Sequence, residues 1–279
     1  MADALRAEML KLYKRPAMRV LVGLALVDTV FFVYFLGYGY YLQVRSGVVT
    51  STASLPMILG GLLTNQVVRA VLSQSGDFVT IGLILGALVA GSEYGWGTLK
   101  TELAQGPSRL GVYLGQLLAL ATLLIILIPA LFFLALAASV IVGALQHTPL
   151  TWPQGWQIPA GMAAAFLFLA MPSALGFMLT TMLRSSALGI GAGMAWLFVI
   201  EQALQIFGYG APVLTTIVNW LPRANADSLA ASFGQWSASI EVPPKIAHGS
   251  VAHFVAVLIA YIIAFVAIGA LAFRRHDVV

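Results

Sequence analysis

LGVYLGQLLALATLLIILIPALFFLALAASVIV, residues 110–142, contains no aspartate, glutamate, lysine or arginine in 33 consecutive positions. As a helix rising about 1.5 Å per residue it is about 50 Å long. Roughly 20 such residues cross the ~30 Å hydrocarbon core of a bilayer. A soluble helix keeps a polar face for water, and this stretch has no charged face at all. It reads as a transmembrane helix with length to spare, and Pro129, which removes a helix hydrogen bond, marks the expected bend.

Outward from that stretch the pattern repeats. Of the 279 residues 60% are hydrophobic and 9% charged, where a soluble domain carries about 25% charged residues. Mean hydropathy is +0.94. The apolar segments predict six spans at about 17–41, 74–91, 110–142, 158–183, 187–207 and 251–273. The second rests on the short run from Phe78 to Gly91, with the amphipathic stretch Leu55 to Leu72 (Asn65, Gln66, Arg69) extending its outer end. Residues 1–16 are too polar to cross. Leu5, Met9, Leu12 and Tyr13 lie opposite Glu8, Lys11, Lys14 and Arg15, which predicts an interfacial amphipathic helix. The run after it is too long for the core of a signal peptide and is read as a retained span. The expected fold is an all-α integral membrane protein, a single transmembrane domain over 1–279 with six transmembrane helices.

Lysine and arginine accumulate on cytoplasmic flanks. With the N- and C-termini cytoplasmic, the inner side holds Arg6, Lys11, Lys14, Arg15, Arg19, Lys100, Arg109, Arg184, Arg274 and Arg275, which is 10 of 14. Arg45, Arg69, Arg223 and Lys245 fall outside. The formal charge of +4 comes from these flanks, not from an aromatic-interleaved patch of the kind that binds nucleic acid. The cysteine count is zero, which excludes disulfides, thiolate metal sites and cysteine nucleophiles.

The inner loop between spans two and three, residues 92–109, reads SEYGWGTLKTELAQGPSR. Thr98 to Gln105 can form a two-turn helix with Leu99 and Leu103 on one face, ended by Gly106-Pro107. Such a helix presents a small, partly apolar knob at the membrane surface.

Here the chain resembles the permease subunits of the type 2 ATP-binding-cassette exporter family. Its members show Glu-Tyr-x-x-Gly-Thr-Leu after the second span and Gly-x-x-Arg before the third, matched by Glu93-Tyr94, Gly97-Thr98-Leu99 and Gly106 to Arg109. The likeness extends to the basic N-terminal helix, Leu221-Pro222 before the last span, and the tail Arg274-Arg275-His276-Asp277, where His276 replaces a third arginine. The resemblance implies that residues 92–109 form a coupling helix docking on a separate ATP-binding-cassette ATPase subunit. Glu93, Tyr94, Gly97, Thr98, Leu99, Thr101 and Leu103 would make the contact. It implies two ATPase copies carrying ATP and Mg, a second permease copy or paralogue, a bacterial or archaeal cell membrane, and no catalysis or bound cofactor in this chain. A phosphate-binding loop needs Gly-Lys-Ser/Thr, and none of Lys11, Lys14, Lys100 and Lys245 follows a glycine.

Ionisable groups inside a bilayer are costly and mark function. Asp28 and Glu201 reach similar depths in spans one and five, which nominates both for a substrate path or gate. The alternative is a pair of carboxyls satisfied between helices. Gly82-x-x-x-Gly86, Ala87-x-x-x-Gly91 and Gly189-x-Gly191-x-Gly193 predict close helix packing. Met171, Met178 and Met182 share a face, for which packing is simpler than copper binding. His147, His248 and His253 lack metal-ligand spacing, and no metal site is expected. The outer interval 208–250 is mostly polar, with an amphipathic piece from Pro212 to Leu221 that either dips into the outer leaflet or lies along the interface.

The expected function is therefore permease-type export driven by a separate ATPase. Two alternatives differ in class: an ion-coupled secondary transporter using Asp28 and Glu201 for protons, and a membrane-embedded enzyme acting on lipid-linked substrate, which sparse buried polar residues disfavour.

Overall fold

The computed structural model describes residues 2–96, 108–207, 216–234 and 248–275, and among these the chain is helical with no strand. In order, the helices are α1 (Ala2–Lys14), α2 (Pro16–Arg45), α3 (Leu55–Gly61), α4 (Val67–Leu72), α5 (Ser75–Trp96), α6 (Arg109–Leu145), α7 (Gln157–Leu183), α8 (Ser186–Phe207), α9 (Pro222–Ser232) and α10 (Val251–Arg275). Among the described residues five of them, α2, α6, α7, α8 and α10, are long and apolar enough to cross a membrane. The apolar part of α5, Ser75–Gly91, is shorter. The residues of the expected coupling helix, Thr98 to Gln105, lie outside the described residues.

Local chemistry sets the helix starts. Pro16 and Pro222 occupy the first turns of α2 and α9, where a missing N–H costs nothing. The Ser108 hydroxyl accepts the Gly111 N–H at 3.1 Å and caps α6. Ser185 does the same for α8 through Leu188 at 3.4 Å, and Arg184, at φ +53°, turns the chain from α7 into α8. That is the tight hairpin expected at Arg184-Ser185-Ser186. α6 runs through Pro129 as one helix.

The second apolar region departs from the expectation of one extended span. Leu55–Gly61 and Thr64–Leu72 are bent by 65° against each other, and a turn at Ser73-Gln74 separates them from α5. Leu63, with extended backbone, breaks the helix between them. Ile58, Leu62, Val67, Val68, Val71 and Leu72 are buried, so the bent pair is part of the core and no surface extension.

The core is built on α5 against α7. A Cβ on Gly82 would stand 2.6 Å from the Leu169 carbonyl oxygen and 2.9 Å from Pro172. Gly86 meets the Ser173 backbone, and Gly176 meets Leu83, more closely still. The Ser173 hydroxyl donates to the Gly82 carbonyl at 2.9 Å across this interface. Gly91, Gly189 and Gly193 make further close approaches between α5, α7 and α8, whereas nothing stands within 4 Å of the Cβ position of Gly191. Helix packing is thus what most of the small-residue spacings do. Met171 and Met178 are buried in the same core, and Met182 is exposed.

Around this core α2, α8 and α10 turn most of their apolar surface outward. Val27, Phe32 and Phe35 on α2, Ile126 and Phe133 on α6, and Val199 and Phe207 on α8 are all exposed. So broad an apolar exterior fits lipid and would aggregate in water. α1 packs on α6 by a different face from the one read in sequence: Leu12 is buried as expected, but Glu8 is 6% exposed and Tyr13 72%. Glu8 tolerates burial because Lys11 donates to it at 2.6 Å, and its stem lies on Gly115 of α6.

Candidate functional site

Among the described residues two stretches are π-helical, one beside Asp28 and one beside Glu201. In α2 the segment Thr29–Leu36, directly after Asp28, is π-helical. In α8 the segment Ala195–Ile200, directly before Glu201, is π-helical too. A π segment inserts extra residues into the helical register, which re-aims neighbouring side chains, and such bulges concentrate at functional sites.

Glu201 is fully buried. Its Oε2 accepts the backbone N–H of Arg223 at 3.0 Å, in the first turn of α9. That N–H has no partner within its own helix, so a carboxyl from α8 supplies the cap that the sequence of α9 lacks. The other end of α9 is treated in kind. Arg69 of α4 donates from Nε to the carbonyl of Phe233, the C-cap residue, at 2.6 Å. Gly234 follows at φ +96°, and a Cβ there would stand 2.8 Å from the Arg69 Nε. An acid at the N-terminus and a cation at the C-terminus oppose the helix dipole at both ends.

Between the clamps α9 carries polar residues into the core. Asn225 is fully buried and donates to the carbonyls of Leu221 and Asn219 at 2.8 and 2.9 Å. The Arg223 guanidinium donates to the Leu197 carbonyl at 3.4 Å, lies 4.8 Å from the Phe198 ring centroid, and stands 4.0 Å from Asp227. Asp227 accepts the Ser75 hydroxyl at 2.8 Å, which ties α9 to the start of α5. Burial pushes the Asp227 carboxyl above its ordinary value of 3.8, against the opposing pull of Ser75 and Arg223.

One residue before Ser75, the same turn reaches the other acid. Gln74 Nε2 donates to Asp28 Oδ2 at a long 3.4 Å. Asp28 and Asp77 line one groove of about 350 Å³ between α2 and α5. Glu201 does not line it. The structure therefore places Asp28 on a groove and Glu201 inside a helix clamp, linked through the turn Gln74–Ser75 and α9. Of the connector residues, Glu93 and Tyr94 lie in the last turns of α5, and Gly97, Thr98, Leu99, Thr101 and Leu103 fall outside the described residues. Among the described residues no group of three His, Asp or Glu could hold a metal ion. His253 and the His248 backbone instead meet Asn219, at 3.2 and 3.0 Å, with the Trp220 ring edge-on to His253.

None of Arg69, Gln74, Ser75, Asp77, Arg223 and Asp227 is nominated for a site by the sequence, where Arg69 and Arg223 stand out only as charges of the outer segments. The signal for α9 was present: Pro222 starts a helix, and Arg223 and Asp227 are spaced i, i+4. It is submerged in the mostly polar interval 208–250, because nothing local reveals that Glu201 and Arg69 close both ends.

The helices define the class, a multi-pass membrane protein, by their length and apolar composition. Within that class the chain belongs to the DUF2705 family, described as proteins of unknown function, whose model matches residues 64–279. No curated protein matches the chain.

Proposed function

We propose that this chain is the permease subunit of an ATP-driven exporter, with α2, α5, α6, α7, α8 and α10 as six transmembrane helices and both termini cytoplasmic. Chemistry takes place on a separate ATP-binding-cassette ATPase that binds ATP and Mg. This chain turns ATPase movement into substrate movement. A second permease copy completes the path.

α5 carries the reading. It is one 22-residue helix, about 33 Å long. At one end it leads into the connector with the Glu93-Tyr94 and Gly97-Thr98-Leu99 pattern; at the other, Ser75 holds Asp227. Glycine contacts lock it on α7, so a push at the connector reaches the outer cluster without being absorbed by bending. The crossing order supports the same reading. With α5 as the second crossing, Lys100 and Arg109 are inside, α9 is outside, and the bent pair α3–α4 dips in from the outer face.

Affinity purification of the full chain from its native membrane tests the proposal. An ATPase subunit should co-purify, and Leu99→Glu with Leu103→Glu should release it while the permease remains folded in the membrane. Export that survives loss of every such ATPase but collapses with the proton gradient would overturn the reading.

A further inference from the structure

The elbow between α1 and α2 carries a surface that neither the core nor the clamped cluster around α9 uses. α1 ends at Lys14 and α2 begins at Pro16, with Arg15 in extended conformation between them. One side of α1 is committed to the core: Leu12 and Glu8 are buried, and Glu8 accepts Lys11. The other side faces out. Leu10 is 53% exposed and Tyr13 72%, with Lys14 and Arg19 exposed near them. Along α2 the outward row continues through Val20, Leu24 and Val27, spaced i, i+4, i+7, while Met18, Leu21 and Ala25 turn inward. Between residues 7 and 27 the one acid is Glu8, already paired with Lys11. Lys14 and Arg19 make no ion pair or side-chain hydrogen bond among the described residues, whereas Arg15 is engaged within the chain and lends no part to this surface.

Acyl chains alone would cover the apolar row and leave both cations unanswered. A soluble acidic partner would answer the cations and leave the row in water. An anionic phospholipid does both, because its headgroup meets Lys14 and Arg19 while a chain covers the row below them. The depths agree. From Arg19 to Val27 the helix rises about 12 Å, within the ~15 Å of hydrocarbon that one leaflet supplies, and a tyrosine ring belongs at the boundary between the two zones. We infer that the α1–α2 elbow is a binding site for an anionic phospholipid, its headgroup held by Lys14 and Arg19 beside the Tyr13 ring and a chain laid along Val20, Leu24 and Val27. This goes beyond the exporter reading and does not depend on it.

The site is tested on the full chain, delipidated in detergent and without any ATPase. The protein is titrated with dioleoyl-phosphatidylglycerol and, separately, with dioleoyl-phosphatidylcholine, and bound lipid is counted by native mass spectrometry. The two lipids share their chains and differ in headgroup charge. At about fivefold per cation, phosphatidylglycerol should bind about 25-fold more tightly. Lys14→Gln with Arg19→Gln should remove that advantage and leave phosphatidylcholine unmoved, whereas Lys14→Arg should keep it. Glycerol phosphate, which has the charge without the chains, should not displace the bound lipid. Arg45→Gln, which removes an exposed cation at the far end of α2, is the control and should change nothing. Equal binding of the two lipids, an equal loss in Arg45→Gln, or phosphatidylglycerol affinity unmoved by the double change in a protein of normal melting temperature would overturn the site. The elbow would then be a contact for any lipid or for a second copy of the chain. Failure of ATPase co-purification would leave this result intact, so the two proposals fail separately.

Discussion

Glu201 is fully buried and accepts the Arg223 N–H, which its own helix leaves unpaired. Replacing it with alanine leaves the Arg223 N–H buried and unsatisfied, a loss of roughly 1–3 kcal/mol. Glutamine keeps an oxygen in place. Thermal unfolding in detergent should therefore rank wild type above Glu201→Gln, and Glu201→Gln above Glu201→Ala. Asp227 contributes to stability in the opposite sense to an ion-paired aspartate, whose folded-state value is lowered. Burial raises its folded-state value above 3.8, so its contribution is complete at acid pH and is lost as pH rises through the raised value. Asp227→Asn should flatten the rise in melting temperature on acidification and keep the Ser75 contact through its amide oxygen. A melting curve for the variant that tracks wild type across acid to neutral pH would refute this. Both residues could be found in the sequence, but only Glu201 could be weighed there. A charge inside an apolar run announces itself; Asp227, in a polar run, does not.

At the scale of elements, the glycines separate structural need from mere presence. Gly86 and Gly191 both belong to small-residue spacings that look alike in sequence. A methyl group on Gly86 would drive into the Ser173 backbone, and one on Gly191 meets nothing within 4 Å. Gly86→Ala should lower stability by about 1–3 kcal/mol, and Gly191→Ala should be close to neutral, read as melting temperature and folded yield. The apolar runs revealed where helices lie because hydropathy is summed over many residues. They could not reveal the bend between α3 and α4, which depends on the backbone of Leu63 and on what packs around it. Nor could they reveal which face of α1 is inward, since Glu8 is buried only by virtue of Lys11 and Gly115.

At the scale of the whole molecule, the absence of cysteine becomes an experimental asset. Single cysteines read topology without background. Cysteine at Ser51 or Thr148 should react with an impermeant maleimide on intact cells, and cysteine at Ser108 only after permeabilisation. The reverse pattern would invert the orientation drawn from ten basic residues against four. Orientation is an expectation drawn from counting charges, and this labelling decides it. The groove between α2 and α5 was not legible in the sequence, since Asp28 and Asp77 come together only once two helices are packed. α9, finally, is held at one end by α8 and at the other by α4, with Ser75 of α5 at its middle. Loss of either end contact alone leaves the helix tied at two points, so α9 is expected to stay in place until both Glu201 and Arg69 let go.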